Sequence, residues 1–310
     1  MIVIRSWREL GNRLPRPVVA LGKFDGVHRG HQKLLAEVRQ LARKRKAPSM
    51  AVTFDEHPYR TLRPTKVQPR LATQDERIEY IESAGIDALL LIRFTKAFAG
   101  IPAMTFARDY LAGRIDASII MAGRNFRFGR NRTGDVGKLE RWGRRLGFEF
   151  RPVAQVMVDG EAVSSTRVRR VLSEGDITQA TRLLGRHYSV DGVVVHGSGR
   201  AEGLGAATAN ISLPEKLLPP DGVYLVRGAV EEDKPLPGLA NLGFSPTFGG
   251  KERRLEVHLL GEKRMIYGRS MRVSFEARLR SEKTFPSSDA LAAQIADDLK
   301  RARRHFRLRR

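Results

Sequence analysis

The sequence lacks cysteine altogether, which excludes disulfide bonds, thiolate nucleophiles and cysteine ligands to a metal. That absence agrees with a reducing compartment, and the expected location is therefore cytoplasmic. No apolar run approaches the roughly 18 to 20 residues that a membrane-spanning helix needs. The N-terminal sequence MIVIRSWR also lacks the sustained apolar segment of a signal peptide. We therefore expect neither export nor a membrane partner.

Acidic side chains are scarce beside basic ones, because 34 Asp and Glu face 56 Lys and Arg in a chain of formal net charge +22. The basic residues are spread over both halves, with local concentrations at 43–46 and 301–310 that suit the C-terminal ends of helices. The chain has no zinc-finger spacing, no RNP-like aromatic string and no long basic region with heptads. We therefore expect no specific nucleic-acid partner, whereas a positive field would steer small anionic substrates.

The 310 residues exceed what a single hydrophobic core usually reaches, so two domains are expected. From about residue 17 to 150, short apolar strands alternate with amphipathic helices, which is typical of an α/β fold with a doubly wound parallel sheet. The strands are predicted at 18–21, 50–54, 88–92, 118–121 and 148–153, and the helices at 33–44, 74–84, 104–112 and 136–146.

The pattern changes after about residue 185, where β-branched runs separated by glycine and proline replace the helical spacing. Six strands are predicted, at 188–195, 209–213, 223–230, 239–243, 255–260 and 271–277. Strands without intervening helices favour a small antiparallel β-barrel, and an amphipathic helix at 288–304 closes the chain. The domains are accordingly predicted as 1–185 and 186–310.

The most informative segment is GKFDGVHRGH at residues 22–31, between a predicted strand and a predicted helix. Glycine lets the backbone approach a phosphate closely, a helix N-terminus offers N–H groups to anions, and histidine can donate a hydrogen bond to a charged oxygen. His28 and His31 are therefore candidates for binding a polyphosphate. A pair of structural histidines in a tight turn is the alternative.

This segment resembles the HxGH signature of the nucleotidyltransferase superfamily, and its longer string FDGVHRGHQ resembles that of bacterial bifunctional riboflavin kinase/FAD synthetases. The resemblance implies a Rossmann-like first domain that transfers AMP from ATP to FMN, with His28 and His31 as catalytic residues. Asp25 would hold either a histidine tautomer or only the turn. Contacts to ATP are implied for Gly22, Phe24, Asp25 and Gly30 and, within the motif-like segment VSSTRVR, for Ser165, Thr166 and Arg167.

Two further segments resemble flavin-side elements of that family. TFDEHP at 53–58 has Glu56 where proline is usual, and it implies flavin contacts from His57 and Pro58. GRNFRFG at 123–129 has asparagine in place of the usual aspartate, and it implies flavin contacts from Asn125, Phe126, Arg127 and Phe128. A purely core role for the two phenylalanines is the alternative.

The second half resembles the riboflavin kinase module, which implies transfer of the ATP γ-phosphate to riboflavin. TAN at 208–210 implies that Thr208 and Asn210 hold Mg²⁺ and nucleotide phosphates, with Gly199 and Gly205 beside those phosphates. LEVHLL at 255–260 implies that Glu256 is the general base, and a solvated strand glutamate is the alternative. Both reactions would use Mg²⁺ and ATP as co-substrate, with FMN and FAD as substrate and product.

The loop before TAN departs from the family pattern GRGRxLGFPTAN, because this chain reads GRAEGLGAATAN at 199–210. The departures are Ala201, Glu202, Ala206 and Ala207, together with Gly261 in place of an aspartate. A carboxylate 4 Å from a phosphate charge is unfavourable by about 1 to 4 kcal/mol.

Three alternative functions stay open: a monofunctional FAD synthetase with a degenerate kinase domain, another HxGH adenylyl- or cytidylyltransferase, and a basic flavin- or nucleic-acid-binding protein without turnover. We expect a monomer or a weak homo-oligomer.

Overall fold

The structure, a computed structural model, describes residues 1–10, 14–56, 61–62, 65, 68–195, 209–244, 253–262 and 266–307. The chain forms two compact units, Met1–Ser165 and Thr166–Arg310. This division falls after the first residue of the two helices that lead into the C-terminal strands, whereas the sequence predicts a domain boundary after both helices, between residues 185 and 186. That functional boundary stays a prediction.

The first unit is built on a six-stranded sheet in the order β1-β4-β3-β2-β5-β8, in which every neighbouring pair is parallel. The predicted doubly wound sheet is therefore confirmed. Two small antiparallel ladders, β6 with β7 and β9 with β10, accompany it. The strands are β1 Ile2–Ile4, β2 Val18–Leu21, β3 Ser49–Phe54, β4 Ala88–Ile92, β5 Ile119–Gly123, β6 Arg127–Phe128, β7 Gly134–Asp135, β8 Glu149–Val153, β9 Met157–Val158 and β10 Glu161–Ala162.

The central strand β2 shows why the sheet is covered on both faces. Its sequence VVAL is buried at every position. Val19 and Leu21 belong to one hydrophobic cluster, whereas Val18 and Ala20 belong to another. Because successive side chains of a strand point to opposite faces, a continuous apolar run is what a parallel strand between two helical layers requires.

The helices of this unit follow the strands as the alternating pattern predicts. Helix α2 buries Leu34, Leu35, Val38 and Ala42 against the sheet. The start of α3 is defined by a capping box, in which Thr73 and Glu76 each accept a hydrogen bond from the other's backbone N–H. The helices are α1 Trp7–Leu10, α2 Arg29–Arg45, α3 Gln74–Ser83, α4 Lys96–Ala99, α5 Ala103–Thr105 and α6 Val136–Leu146.

The helix predicted at 104–112 is present but has a different form. After α5 the chain continues as a π-helix, Phe106–Arg114, in which the Ile115 N–H reaches the Tyr110 carbonyl at 2.9 Å. Phe106 and Tyr110 stack at 5.7 Å within an aromatic cluster. Hydrophobic spacing cannot distinguish this wider helix from an α-helix. The sequence also missed strand β1, which adds to the sheet edge beside β4.

The second unit is a closed barrel in the order β11-β12-β15-β14-β13-β16, with antiparallel pairing throughout. The predicted six-stranded barrel with a terminal helix is therefore confirmed. Its strands are β11 Tyr188–Val195, β12 Ala209–Ile211, β13 Gly222–Val230, β14 Leu236–Phe244, β15 Arg253–Leu259 and β16 Ser270–Ser281. Helices α7 Ser165–Ser173 and α8 Ile177–Leu184 precede it, and α9 Ser288–His305 follows.

Helix α9 packs its apolar side on the outside of the barrel and is attached there by a buried ion pair. Ala302 joins a hydrophobic cluster with strand residues Val223, Leu225 and Leu239. The Asp298 carboxylate accepts from Arg280 Nε at 2.9 Å and lies 2.8 Å from Arg280 Nη2. The two side chains are 3% and 13% exposed, so the charges depend on each other for solvation.

We expect Asp298→Ala to lower the free energy of unfolding of the second unit by about 3 kcal/mol, because Arg280 would keep a buried charge without its partner. Urea denaturation followed by circular dichroism measures the change. Asp297→Ala is the matched control, since Asp297 is the exposed neighbour on the same helix and should change little. A loss below about 1 kcal/mol for Asp298→Ala would contradict the assigned role of the pair.

Candidate functional site

The segment that carries the two histidines, residues 22–31, begins at the carboxyl end of β2, in the middle of the parallel sheet. We call this segment the histidine turn. Strand β2 pairs with β3 on one side and with β5 on the other, so the order of strands reverses at this point. In open α/β sheets, ligands bind outside the carboxyl ends of the strands at such a reversal. The turn leads directly into α2, with His28 at the N-cap position. An anion here would face the positive end of a 17-residue helix.

The backbone of this turn is strained. Phe24 has φ 51° and Val27 has φ 35°, and both side chains are fully buried. Positive φ is a genuine outlier for a β-branched residue such as valine. Each such residue costs on the order of 1 to 3 kcal/mol, and the surrounding structure must supply that energy. Gly26, at φ 75°, takes the same region without this cost.

Hydrogen bonds from several elements hold the strained turn. Asp25 is 6% exposed, and its Oδ1 accepts from the backbone N–H of Leu71 at 3.0 Å. This contact ties the Asp25 side chain to the turn, and its predicted roles toward a histidine tautomer and toward ATP stay predictions. The other donors are Ser165 Oγ to the Asp25 carbonyl at 3.0 Å, Thr53 Oγ1 to the Lys23 carbonyl at 3.1 Å, and Gln32 Nε2 to the Val27 carbonyl at 2.9 Å.

The two histidines are brought together as parallel rings. The imidazoles of His28 and His31 stack with centroids 3.7 Å apart and planes 17° apart, and Phe24 meets His31 edge-on at 5.3 Å. Glycines make room for these rings: a Cβ on Gly22 would lie 2.9 Å from the Phe24 ring, and one on Gly30 would lie 3.1 Å from His28 Cε1. Two stacked imidazoles repel each other when both are protonated, and a bound anion relieves that repulsion.

Ser165 is the last residue of the first unit and the first residue of α7. Ser165 contacts the Asp25 carbonyl, so the structure brings this predicted ATP residue to the histidine turn. Thr166 and Arg167 follow it in the first turn of α7. Hydroxyl and guanidinium groups at a helix N-terminus suit phosphate oxygens.

The predicted flavin-side residues of the first unit fall into three groups. Asn125 and Phe126 follow β5, whose carboxyl end is adjacent to that of β2. Phe128 is 8% exposed in the hydrophobic core, and Arg127 Nη1 donates to Asp135 Oδ2 at 2.9 Å. A flavin contact from each of these four stays a prediction. The third group, His57 and Pro58, lies outside the described residues.

Sequence reasoning missed a buried arginine next to this site. Arg77 on α3 is 9% exposed and lines a small cavity with Asp25, Asp55 and Arg70. Burial lowers the pKa of Arg77 to about 10, while the two carboxylates act in the opposite direction. The guanidinium therefore stays charged near neutral pH. A lone arginine in the first turns of an amphipathic helix gives no sequence signal of burial.

The barrel carries a second group of polar residues on its outer face. Glu256 on β15 lies directly opposite Asn210 on β12 and opposite Asn241 on β14. Its chain neighbours Leu255 and Val257 are buried, so Glu256 points away from the barrel interior. The register thus places the Glu256 carboxylate between two amides on adjacent strands. We call these three residues, Asn210, Glu256 and Asn241, the polar row.

Asn210 contributes to this row a buried oxygen atom of a kind that a hard cation accepts. It is 5% exposed, and its Oδ1 is buried without a hydrogen-bond partner among the described residues. A buried amide oxygen of this kind is a ligand that Mg²⁺ accepts alongside water and phosphate oxygens. Within the described residues, no cluster of three or more His, Asp or Glu could hold a metal by protein ligands alone.

Several predicted kinase residues fall outside the part of the chain that the structure describes, namely Gly199, Gly205 and Thr208. The departures at 201, 202, 206 and 207 fall there as well. Gly261 is described and has φ 95°, with nothing within 4 Å of its virtual Cβ. A glycine suits that left-handed turn, whereas an aspartate would be strained there.

Comparison with known proteins identifies both halves. A family model described as FAD synthetase matches residues 12–167, and one described as riboflavin kinase matches residues 184–306. These matches define an adenylyltransferase-type α/β domain followed by a flavokinase barrel.

Full-length relatives combine the same two domains. A protein of Escherichia coli (strain K12) named bifunctional riboflavin kinase/FMN adenylyltransferase is 38% identical over 94% of this chain and 93% of its own length. A protein of the same name from Pseudomonas fluorescens is 37% identical over 92% of each chain. The chain belongs to the family of bifunctional riboflavin kinase/FMN adenylyltransferases.

A solved structure shares the complete fold. A crystal structure described as a macrolide-efflux protein from Streptococcus pneumoniae matches with a TM-score of 0.90 and 31% identity, over 98% of this chain and 99% of that one. In the present chain, none of the described helices is both long and apolar enough to cross a membrane.

We expect Gly30→Ala to lower kcat for FMN adenylylation by about tenfold, because the new methyl group would press on the His28 ring and small misplacements cost much rate. Stability should not fall, since alanine is favoured over glycine in a helix by up to about 1 kcal/mol. Steady-state FAD formation and thermal unfolding measure the two effects.

Gly137→Ala in the first turn of α6 is the control, because its Cβ would make only an ordinary 3.6 Å contact with Asp135. If the Gly30→Ala variant forms FAD with the wild-type kcat, the His28 ring can move away from the added methyl group without loss of activity. That result would contradict the prediction.

Proposed function

We propose that the histidine turn of the first unit transfers AMP from ATP to FMN, and that the polar row on the barrel phosphorylates riboflavin. As a member of its family, the chain is a transferase with both activities, and it uses ATP and flavins as substrates. What is proposed here is which of its residues perform each reaction. The observation that carries the proposal is the stacked His28–His31 pair at the N-terminus of α2.

In the first reaction, FMN and ATP give FAD and pyrophosphate. The FMN phosphate oxygen attacks the α-phosphorus of ATP, and the bond to the leaving pyrophosphate breaks, so the enzyme needs no nucleophile of its own. His28 and His31 would donate hydrogen bonds to the phosphate oxygens and stabilise the charge that develops on them. Ser165, Thr166 and Arg167 would hold the remaining phosphates, and the N–H groups at the start of α2 would add to the positive field.

In the second reaction, riboflavin and ATP give FMN and ADP. The riboflavin 5′-hydroxyl attacks the γ-phosphorus of ATP, and Glu256 would accept the hydroxyl proton. Asn210 would hold Mg²⁺ through its buried Oδ1, together with Thr208. The cation would neutralise phosphate charge as the γ-phosphoryl group is transferred. Asn241, opposite Glu256 in the register, supports this assignment by adding a second amide to the row.

The alternatives raised by the sequence are not favoured. A riboflavin kinase match over residues 184–306 argues against another HxGH transferase. Full-length relatives named for both activities argue against a monofunctional FAD synthetase with a degenerate kinase domain and against a binding protein without turnover. A cytoplasmic location, Mg²⁺ as the cation, a monomer or weak homo-oligomer and the absence of a specific nucleic-acid partner remain predictions.

We expect His28→Asn and His31→Asn each to lower the rate of FAD formation from FMN by at least about 100-fold, which is the usual effect of removing a transition-state donor. The conversion of riboflavin to FMN should be unchanged, because it uses the barrel. HPLC quantification of both products in one assay provides the internal control. His305→Asn, which alters an exposed histidine on α9, should leave both rates intact. Parallel loss of both activities in a folded His28 variant would contradict two separate sites.

We expect Glu256→Gln to lower the rate of FMN formation from riboflavin by about 100-fold or more, because a general base contributes roughly that factor. FAD formation from supplied FMN should be retained. Glu232→Gln, at an exposed turn of the same barrel, is the control. If Glu256→Gln phosphorylates riboflavin at the wild-type rate, another group must accept the hydroxyl proton.

A further inference from the structure

Arg77 connects the ends of the two central strands of the first unit. Its Nη2 donates to the carbonyl of Phe54 at 2.6 Å and to that of Asp55 at 3.0 Å, where β3 ends. Its Nη1 reaches the carbonyl of Lys23 at 3.4 Å, just beyond β2 and one residue before the strained Phe24. One guanidinium therefore joins the β3 end to the start of the histidine turn. A planar group with several donors suits this task, whereas a lysine ammonium does not.

The charge of Arg77 is balanced by carboxylates from both of those strand ends. Asp25 in the turn and Asp55 after β3 are its acidic neighbours, and Arg70 is a basic one. All four line the same small cavity. Because Arg77 is 9% exposed, water screens its interaction with these carboxylates only weakly.

The segment that carries Arg77 also packs on the turn at a second place. Leu71 is 2% exposed and donates its N–H to Asp25 Oδ1. A Cβ on Gly26 would lie 2.9 Å from Leu71 Cβ, so the two backbones approach closely. The residues from Leu71 to Arg77 thus contact the turn at Lys23, Asp25 and Gly26. These are the positions immediately before His28.

We infer that Arg77 is a positioning residue for adenylyl transfer, which holds the turn from Lys23 to Val27 in the conformation that stacks His28 on His31. It touches no reacting atom and acts through the turn. The inference rests on the proposed function of the two histidines. It adds a residue outside the motif segments and assigns it an effect on rate rather than on substrate affinity.

The test compares Arg77→Gln, Arg77→Lys and Arg39→Gln in the full chain. Arg39 is a matched control, because it is a partly buried arginine of the same unit that lies against Gly85 and is about three helical turns along α2 from His28. FAD formation from FMN and FMN formation from riboflavin are measured over ranges of ATP and flavin concentration. Thermal unfolding of each variant is followed by circular dichroism.

We expect Arg77→Gln to lower kcat for FMN adenylylation by about 10- to 100-fold, with the KM values of ATP and FMN changed by less than about threefold. Arg77→Lys should lose less, about 3- to 10-fold, because it keeps the charge but cannot bond to both strand ends at once. Kinase turnover should be unchanged in both. Arg39→Gln should leave both activities at the wild-type level.

Wild-type kcat in a folded Arg77→Lys and Arg77→Gln would overturn the inference. A parallel fall of adenylylation and kinase activity that follows the folded fraction would also overturn it, since the role would then be stability alone. If the Arg77→Gln variant does not fold, the kcat of the Arg77→Lys variant is the test. A lowered kcat supports the inference, and a wild-type kcat overturns it. Failure of the proposed function itself looks different, because His28→Asn would then still form FAD whatever the Arg77 variants do.

Discussion

The first site depends on a turn whose backbone is unfavourable for the residues it contains. Phe24 and Val27 both have positive φ, and only contacts made by the rest of the unit can hold them there. Those contacts come from the β3 end, from α2, from the segment before α3 and from the first residue of α7. The result is a pair of stacked imidazoles at a helix N-terminus, where anions are favoured. The function of the site therefore depends on distant parts of the sequence.

The second site depends on a simpler constraint, the alternation of side chains along a strand. Leu255 and Val257 occupy the barrel interior, so Glu256 between them must point outward. Antiparallel register then sets its neighbours as Asn210 and Asn241. The register of the strands that carry these three residues is fixed in the closed barrel, because a shift by one residue would bury the Glu256 carboxylate. The two proposed sites are thus formed by different structural means.

Much of this architecture could be predicted from the sequence, because hydrophobic periodicity reports directly on burial. Strand β2 and helix α6 were predicted to the residue, and the six barrel strands were placed correctly. The π-helix after α5 was not distinguished, since its spacing of apolar residues is close to that of an α-helix. Arg77 was missed because its burial results from tertiary packing at the cavity beside Asp25. Local patterns predict elements and motif positions, whereas the bonds that hold a strained turn come from contacts distant in sequence.

The most direct test of this account is an HPLC time course of the wild-type protein with ATP and Mg²⁺, started from riboflavin in one reaction and from FMN in another. The account predicts that FAD forms in both, and that FMN accumulates before FAD when riboflavin is supplied. The time courses should fit two successive reactions at separate sites. If FAD forms when FMN is supplied but not when riboflavin is supplied, the assignment of kinase activity to the polar row is contradicted. FAD from neither substrate would contradict the assignment of the histidine turn as well.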